Sequence, residues 1–338
     1  MHRSGSPGPG ASRPVPRVSD PRRVVIDCDP GHDDALAILL AARHFDVLGV
    51  TTVSGNVDVE RTTLNALRVV ELAGLEVPVA RGCAAPLAGA PPHAEAIHGA
   101  SGLDGYAFPP VRGEPDRRHA VDFLIETARG SDDLTVVAVG PLTNLAVALT
   151  TAPDIAPRIA AISVMGGSAT AGNVTPAAEF NVWFDPEAAD VVFRSGVPLW
   201  MCGLNLTRHA AVDAEDLRRI ESIPTRAART VADLLRFYLA RQLSQDGNAA
   251  APLHDPCAVA ILLEPSVVAW RPMHVAVELR GEHTRGMTVC DARHVPELNP
   301  AAAPDAGPRA APPNARVGVR VDRPAFLRLL EDALAALP

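Results

Sequence analysis

Four carboxylates that lie within eight positions of one another carry the strongest chemical information in this 338-residue sequence: Asp27, Asp29, Asp33 and Asp34. Carboxylates this close repel one another and raise each other's pKa unless protons or a cation lie between them. All of the potential ligand atoms are oxygen, and no paired Cys or His lies nearby, which favours a hard cation such as Ca²⁺ or Mg²⁺. The stretch therefore predicts a cation site.

The elements around these carboxylates must bring them to one place. Residues 24–26 are a short β-branched apolar run and predict a buried strand, and residues 35–42 are uniformly apolar and predict a buried helix. A Pro-Gly pair ends the strand. Asp33 and Asp34 then lie at the helix start, where the positive end of the helix dipole favours anions.

Other structures could also use such a stretch. A helix cap with spare surface charge accounts for Asp33, but not for Asp27 and Asp29 at the end of a strand. An EF-hand requires a glycine where His32 lies and a glutamate where Ile38 lies, so it is excluded. A phosphatase of the haloacid dehalogenase type also has D-x-D after its first strand. Such enzymes normally place a lysine beside the phosphate, and this chain contains no lysine.

A second polar segment follows a predicted strand at residues 160–165. Asn173, Glu179 and Asn181 combine amides, which donate and accept hydrogen bonds, with a carboxylate, which accepts from hydroxyls. This set suits a polyhydroxylated ligand such as ribose. Glu179 and Asn181 are two positions apart, so an extended backbone would direct both to the same side. A helix-capping loop is the plainer alternative, and it accounts for Asp185 alone.

Isolated polar or aromatic residues are weaker candidates. Asn56 follows a predicted strand, but an Asn after Ser-Gly is by default a turn residue, and His98 lies in a glycine-rich loop. Tyr238 lies on a mostly apolar helix, where an aromatic residue is more often part of the core. Asp255, followed by proline, predicts a helix start and leaves the preceding His254 unexplained.

Five strings together resemble the signature of the nucleoside hydrolase family, of the inosine-uridine preferring type. They are D-C-D-P-G-H-D-D at 27–34, I-H-G-A-S-G-L-D-G at 97–105, V-G-P-L-T-N at 139–144, G-N-V-T-P-A-A-E-F-N at 172–181 and H-D-P at 254–256. By itself the third string predicts a strand-to-helix turn capped by Thr143 or Asn144. The resemblance covers about residues 24–337. It implies hydrolysis of the N-glycosidic bond of ribonucleosides to ribose and free base.

The resemblance also implies a role for each residue. Ca²⁺ would be held by Asp29, Asp34, Asp255 and the main-chain carbonyl of Val139. Asp29 would take the proton of a metal-bound water that attacks an oxocarbenium-like sugar, and Asp27 would support the turn. His254 would protonate or hydrogen-bond the departing base. The implied catalytic residues are Asp29, His254 and Asn181, and the implied substrate-binding residues are Asp33, Asn56, His98, Met165, Asn173, Glu179, Asn181, Tyr238 and Asp255.

Two other classes of protein remain as alternatives. One is a phosphatase or phosphotransferase that uses Asp27 or Asp29 as its nucleophile. The other is a non-catalytic, Ca²⁺-dependent ribose-binding protein, which the intact Asp29 and His254 disfavour. The preference for purine or pyrimidine bases depends on the 82–116 loop and the 226–245 helix, and we make no prediction of it.

The composition fits one large α/β domain. Apolar residues make up 47% of the chain, and no apolar run reaches the ~18 residues of a membrane span. A net charge of −8 without a basic stripe argues against nucleic acid as a partner. Five cysteines without C-x-x-C spacing suit reduced thiols in a cytoplasm. The resemblance adds a homodimer or homotetramer as the expected assembly.

The predicted element order is strand, helix, strand, helix, strand. This is the opening of a doubly wound, largely parallel, Rossmann-like sheet with helices on both faces. We expect the site at the carboxyl ends of its strands. Residues 1–22 predict a disordered N-terminal extension, and residues 23–338 predict a single nucleoside hydrolase domain. Within it, residues 299–315 are rich in Ala and Pro and predict a flexible loop.

Overall fold

The computed structural model describes residues 22–247, 249–264, 266–302, 307 and 311–338. The predicted disordered extension lies outside these residues except for Arg22. The predicted flexible loop is described only at its two ends and at residue 307. Within the described parts of the chain, no helix has both the length and the apolar character that a membrane span requires.

A largely parallel sheet of eight strands forms the centre of the fold. The strands of the chain are β1 (Arg23–Cys28), β2 (Asp46–Thr52), β3 (Val79–Arg81), β4 (Leu134–Ala138), β5 (Ile159–Met165), β6 (Leu199–Cys202), β7 (Ala211–Val212), β8 (Ala251–Pro252), β9 (Val268–Met273), β10 (Val275–Val277), β11 (Thr288–Cys290) and β12 (Ala315–Val321). The main sheet has the order β3-β2-β1-β4-β5-β6-β12-β9. Only its last pair, β12 and β9, is antiparallel. The pairs β7-β8 and β10-β11 form separate antiparallel ribbons.

Helices connect these strands. They are α1 (His32–His44), α2 (Val59–Ala73), α3 (Glu95–His98), α4 (Ala120–Arg129), α5 (Thr143–Thr151), α6 (Phe180–Phe184), α7 (Pro186–Phe193), α8 (Leu204–Thr207), α9 (Ala214–Glu221), α10 (Arg226–Asp246), α11 (Pro256–Leu263) and α12 (Arg323–Ala336), with a 3-10 turn at Pro153–Arg158. The long loop predicted at 82–116 contains only the short α3 and an isolated bridge to β3.

Alternate residues of β1 face opposite sides of the sheet. Val24 and Ile26 pack into a hydrophobic cluster that includes α1, α2, α11 and α12. Val25 packs into a second cluster, which includes α4, α5 and α7. Successive side chains of a strand point to opposite faces, so both faces of this sheet are covered by helices. The predicted doubly wound α/β architecture in a single domain is confirmed.

The chain winds outward in both directions from β1. It passes to β2 and β3 on one side, and the later strands β4, β5 and β6 lie on the other side. The connections after β1 and β4 therefore leave the sheet in opposite directions and open a crevice at the carboxyl ends of these two strands. Open α/β sheets bind their ligands at such a point. Asp29 follows β1 here, and Val139 follows β4.

Helix α1 begins earlier than its apolar run predicts. Its first residue is His32, so Asp33 and Asp34 both belong to the first turn. Asp34 closes this turn, because its carboxylate accepts hydrogen bonds from the backbone N–H of Gly31 at 2.8 Å and of Asp29 at 3.1 Å. The alternative of a helix cap at Asp33 does not hold, because the N-cap position is Gly31. Asp34 is the third residue of the helix and binds back to the N–H of Gly31, whereas the Asp33 carboxylate has different partners.

Candidate active site

A cleft of ≈ 720 Å³ opens at the carboxyl ends of the central strands. Its volume is in the range of small-molecule sites. All of the predicted site residues except Asp34 line this cleft: Asp29, Asp33, Asn56, His98, Val139, Met165, Asn173, Glu179, Asn181, Tyr238, His254 and Asp255. Asp34 is fully buried, and its carboxylate contacts the side chain of Asn56 in the cleft wall.

Three carboxylates converge on one point of the cleft. Oxygens of Asp33, Asp34 and Asp255 all lie within 4.8 Å of one another, and all three side chains are buried. The Asp33 carboxylate accepts hydrogen bonds from the backbone N–H groups of His254 and Asp255. The structure therefore joins the helix start at Asp33 to the distant His-Asp-Pro string. The family resemblance implied that Asp33 binds the sugar. In the structure, its carboxylate lies within the acidic cluster.

Burial and mutual repulsion favour the protonated forms of these acids. Burial raises the pKa of Asp33 to about 7, and the charge of Asp34 adds to the shift. Burial, and then the charges of Asp33 and Asp34, raise the pKa of Asp255 well above its usual range. The carboxyls of Asp34 and Asp255 also lie close together, an arrangement that is favourable when a proton or a cation lies between them. A cation could replace that proton and relieve the repulsion.

Asp29 is connected to this cluster through Asn56. The backbone N–H of Asn56 donates to Asp29 Oδ2 at 2.7 Å, and its side-chain Nδ2 donates to the Asp29 carbonyl at 3.0 Å. The same Nδ2 lies 3.3 Å from Asp34 Oδ2. Burial, and then the charge of Asp34, raise the pKa of Asp29 well above its usual range. Asn56 is thus more than the turn residue that its Ser-Gly context suggests.

Asp27 lies on β1 and does not line the cleft. It is fully buried, and its Oδ1 accepts hydrogen bonds from Thr51 Oγ1 at 2.6 Å and from Asn144 Nδ2 at 2.8 Å. Its Oδ2 has no hydrogen-bond partner. Burial raises the pKa of Asp27 to about 6. This carboxyl joins the ends of β1, β2 and α5, which agrees with a supporting role.

Neither Thr143 nor Asn144 caps α5, contrary to the turn prediction. The capping position is Leu142, whose side chain makes no such bond. Asn144 binds Asp27 and the Thr52 carbonyl, and Thr143 Oγ1 donates to Asp185 Oδ2 at 2.6 Å. Both side chains are buried, and they bind residues far away along the chain in place of the N–H groups at the start of α5.

The polar segment before α7 has a different backbone from the one predicted. Asn181 belongs to the short helix α6, and Glu179 is its N-cap. The Glu179 carboxylate accepts from the backbone N–H groups of Gly167 at 2.8 Å, of Asn181 at 3.0 Å and of Val182 at 3.2 Å. Burial raises its pKa to about 7. The prediction of an extended backbone that directs Glu179 and Asn181 to the same side was therefore wrong. Both residues nevertheless line the cleft.

The side-chain amides of Asn173 and Asn181 each use one polar atom in hydrogen bonds within the protein. Asn181 Nδ2 donates to the carbonyls of Val139 at 2.8 Å and of Met165 at 3.1 Å. Its Oδ1 remains for a ligand donor such as a hydroxyl. Asn173 Oδ1 accepts from the backbone N–H of Phe180 at 3.0 Å. Its Nδ2 group is the end that can donate to a ligand.

His254 lines another part of the cleft. Its Nδ1 lies 2.7 Å from the hydroxyl of Thr207, the last residue of α8. Burial lowers the pKa of His254 to about 4, and the positive charge of Arg208 adds to the shift. The imidazole is therefore neutral near pH 7. If Thr207 donates to Nδ1, the Nε2 of His254 carries the hydrogen.

Aromatic residues stack beside the cleft. His98 is buried, and its Nδ1 lies 3.1 Å from Nδ1 of His32, whose Nε2 lies 2.8 Å from the Asp104 carbonyl. The Tyr238 ring stacks on His32 and His98, with centroids 5.4 Å and 5.8 Å away. Tyr238 is only 2% exposed, so it is a core residue that also borders the cleft. The interpretation of Tyr238 as a core residue is confirmed, and its contact with a base stays a prediction.

Sequence reasoning missed several residues of the cleft wall. Arg208 follows α8, and Trp183 and Phe180 lie on α6. His32 was given no functional role from the sequence, although its ring contacts His98 beside the cleft. Phe180 lies inside one of the strings that resemble the family, whereas no string contains Trp183 or Arg208. Arg208 reaches the cleft wall through its contact with Gly172, 36 positions away.

Three thiols lie among the buried residues of this region: Cys28, Cys202 and Cys257. Their S–H groups donate to backbone carbonyls, those of Thr51 at 3.5 Å, Cys257 at 3.4 Å and Leu253 at 3.4 Å. Burial raises the pKa of each thiol, and nearby carboxylates raise those of Cys28 and Cys257 further.

The chain resembles known proteins over most of its length. Residues 24–328 match the family described as inosine-uridine preferring nucleoside hydrolase. The pyrimidine-specific ribonucleoside hydrolase RihA of Shewanella sp. is 42% identical over 319 residues, 93% of this chain and 96% of that protein. RihB of Escherichia coli, also named as pyrimidine-specific, is 39% identical over 93% of this chain and 97% of its own length. The structure of a purine-preferring ribonucleoside hydrolase from Gardnerella vaginalis has a TM-score of 0.83 at 32% identity, covering 93% and 98% of the two chains.

Proposed function

This chain belongs to the nucleoside hydrolase family and is a ribonucleoside hydrolase, an N-glycosidase; from that premise we propose that it acts on pyrimidine ribonucleosides and requires Ca²⁺. The observation that carries the pyrimidine preference is its identity of 42% and 39% with two relatives that are named as pyrimidine-specific. The purine-preferring enzyme of similar fold is less similar in sequence, at 32% identity.

The cleft wall is compatible with a pyrimidine. Gln242 and Tyr238 lie one helical turn apart on α10, and both line the cleft. The amide of Gln242 offers one acceptor and two donor hydrogens, which complement the alternating carbonyl and N–H or amino groups of uracil and cytosine. The Tyr238 ring supplies an aromatic surface beside the same region.

The residues of the acidic cluster fit a hard dication. Three buried carboxylates share one point, burial raises the pKa of each, and the donor set is all oxygen. We propose Asp29, Asp34, Asp255 and the Val139 carbonyl as ligands, and the position of Asp33 adds it to the candidates. The Val139 carbonyl already accepts from Asn181, so only its other lone pair is available. When bound, the cation would hold the ribose hydroxyls and make a water more acidic.

The side chains around this cluster handle the sugar and the proton. Asp29 is fixed by Asn56 through Oδ2, and its Oδ1 is available to accept the proton of the attacking water. Asn173 can donate to a ribose oxygen, and Asn181 can accept from a ribose hydroxyl. The burial of Asp29, Asn56 and Asn181 excludes bulk water and strengthens their interactions with the sugar.

His254 acts on the departing base as a hydrogen-bond donor. The pKa of His254, about 4, leaves the imidazole neutral near pH 7. A neutral imidazole holds one hydrogen, and the contact with Thr207 allows that hydrogen to lie on Nε2. Of the two roles that the family resemblance implied for His254, protonation and hydrogen bonding, this geometry supports hydrogen bonding.

A single assay tests the proposed function. The protein is incubated with uridine, cytidine, inosine, adenosine and guanosine, and both free base and reducing sugar are measured. We expect uridine and cytidine to be hydrolysed faster than the purine nucleosides, with Ca²⁺ present. Release of phosphate from a sugar phosphate would instead identify a phosphatase, and binding of uridine without turnover would identify a ribose-binding protein.

The cellular location and the assembly are also proposals. Five free thiols are compatible with a reducing cytoplasm, and the family resemblance favours a homodimer or homotetramer. Light scattering on the purified protein would measure the assembly directly.

A further inference from the structure

Arg208 lies at the cleft, and no described residue pairs with its charge. It follows the last residue of α8, lines the cleft and is solvent exposed. Its Nη2 donates to the carbonyl of Gly172 at 2.6 Å. No carboxylate of a described residue forms an ion pair with it. Among the described residues that line the cleft, it is the one arginine, so it brings a positive charge to a site dominated by acids.

Its neighbours fix where this charge lies. The preceding residue, Thr207, contacts His254 at 2.7 Å, and His254 is the residue proposed to face the departing base. The contact with Gly172 holds the guanidinium beside the start of the segment that carries Asn173. Arg208 therefore lies where the base side and the sugar side of the cleft meet.

Cleavage of an N-glycosidic bond separates charge in a fixed direction. The C1′–N bond breaks with its electron pair going to the base nitrogen, so the sugar gains positive charge and the base gains negative charge. Water supplies the oxygen that bonds to C1′. Of its two hydrogens, one remains on the new hydroxyl and the other is delivered, in sum, to the base. The carboxylates of the cleft suit the developing sugar cation, and a cationic group would suit the base.

We propose that Arg208 stabilises the negative charge that develops on the departing base, acting beside His254. This role rests on the proposed hydrolysis of nucleosides. It predicts that removal of the Arg208 charge lowers kcat less when the leaving group is a more stable anion. A purely structural role, in which Arg208 only holds the 172–173 segment over the sugar, predicts the same loss for every riboside, because the sugar is the same in each.

The test compares three ribosides of increasing leaving-group stability: uridine, 5-fluorouridine and p-nitrophenyl riboside. The variants are Arg208→Gln, which removes the charge, and Arg208→Lys, which keeps it. Arg194→Gln is the matched control, because Arg194 is an exposed arginine at the end of α7 that pairs with Asp190. Melting temperatures are measured for all variants.

We expect Arg208→Gln to lower kcat on uridine by roughly tenfold, since an exposed charge is partly screened by water. The loss should be smaller on 5-fluorouridine and less than about twofold on p-nitrophenyl riboside. Arg208→Lys should recover most of the uridine activity, and Arg194→Gln should match wild type on all three.

Equal losses on all three substrates, or a lysine variant as impaired as the glutamine variant, would overturn the proposal. If Arg208→Gln fails to fold, Arg208→Lys is used to test the role of the charge. Its kcat should stay within about threefold of wild type on each riboside. A greater loss counts against a role through charge. Wild-type protein that hydrolyses none of these ribosides would refute the proposed function itself, which is a distinct result.

Discussion

The carboxylate of Asp29 fills the space in which a side chain on Gly55 would begin. A Cβ at Gly55 would overlap Asp29 Oδ2, and a Cβ at Gly140 would lie 2.7 Å from Oδ1. The two glycines come from the connections after β2 and β4, on either side of β1. The carboxylate of Asp29, the proposed proton acceptor, therefore lies between these two backbone segments. The absence of side chains at Gly55 and Gly140 leaves the space that it occupies.

Gly55→Ala should displace the carboxylate of Asp29 and loosen its hydrogen bond with the N–H of Asn56. We expect kcat on uridine to fall about 10²-fold, because a displacement of about 1 Å at a reacting group has that effect. Gly113→Ala is the control, since a Cβ there meets Leu67 at an ordinary 3.6 Å. Full activity of Gly55→Ala, at an unchanged melting temperature, would show that the position of Asp29 is not critical.

Removal of the cation should abolish activity. We expect a strong chelator to stop uridine hydrolysis and added Ca²⁺ to restore it, because three buried carboxylates converge on one point. The chelated protein should also melt at a lower temperature. A ligand at 100 times its Kd stabilises the folded state by about 2.7 kcal/mol. Turnover that persists in the chelator would contradict the metal assignment, and restoration by Mg²⁺ alone would change the metal.

Asp255→Asn separates cation binding from helix capping. Asp255 occupies the N-cap position of α11, but its side chain makes no capping hydrogen bond, so the substitution removes charge and no cap. We expect Ca²⁺ affinity, measured by calorimetry, to fall at least tenfold, because the charge count of the ligands sets the affinity. Asp46→Asn is the control, as Asp46 is exposed and 3.8 Å from Arg23. Unchanged affinity would place the cation elsewhere.

His254→Ala should affect substrates according to their leaving group. We expect kcat on uridine to fall by about 10²-fold, at the lower end of the range for proton-transfer groups, because His254 donates a hydrogen bond only. Hydrolysis of p-nitrophenyl riboside should change little. Asp29→Asn should impair both substrates, since each needs the same water. Equal losses from His254→Ala on both substrates would remove His254 from leaving-group activation, and His98 and Tyr238 would be tested next.

Asp185→Ala should destabilise the fold more than the loss of a helix cap alone. Asp185 caps α7 through Ala188 N at 3.0 Å, and it also binds Leu87 N at 2.9 Å and Thr143 Oγ1 at 2.6 Å. We expect a loss of about 2–3 kcal/mol in the free energy of unfolding. Asp322→Ala, which loses only the cap of α12, should lose about 1 kcal/mol. Equal losses in urea titrations would mean that the tertiary bonds contribute nothing.

The sequence predicts the parts of the site that are local. Asp29, Asp33 and Asp34 are grouped by a strand, a turn and a helix start, and buried strands and helices follow from apolar runs. The carboxyl ends of parallel strands meet at one edge, so the position of the cleft also follows. Residue roles within these strings came from the family resemblance.

Contacts across the fold could not be predicted in this way. Asn144 reaches Asp27 over 117 positions, and Thr207 reaches His254 over 47. Local rules gave Asn144 a capping role, but its tertiary partners in the buried layer are stronger competitors. Glu179 also differs from its local prediction, because its carboxylate accepts from the N–H groups of Asn181 and Val182 and so caps a short helix in place of an extended run.

The buried thiols of Cys28, Cys202 and Cys257 make the folded site inert to alkylating reagents. Such reagents attack the thiolate, and burial both suppresses that form and blocks access. Each of these cysteines is therefore labelled only when its surroundings open. Cys28 lies between Asp27 and Asp29, and Cys257 follows Asp255 by two positions. The rate of labelling at each position, resolved by mass spectrometry, thus measures how often the segments that carry the acidic cluster separate, without any substrate.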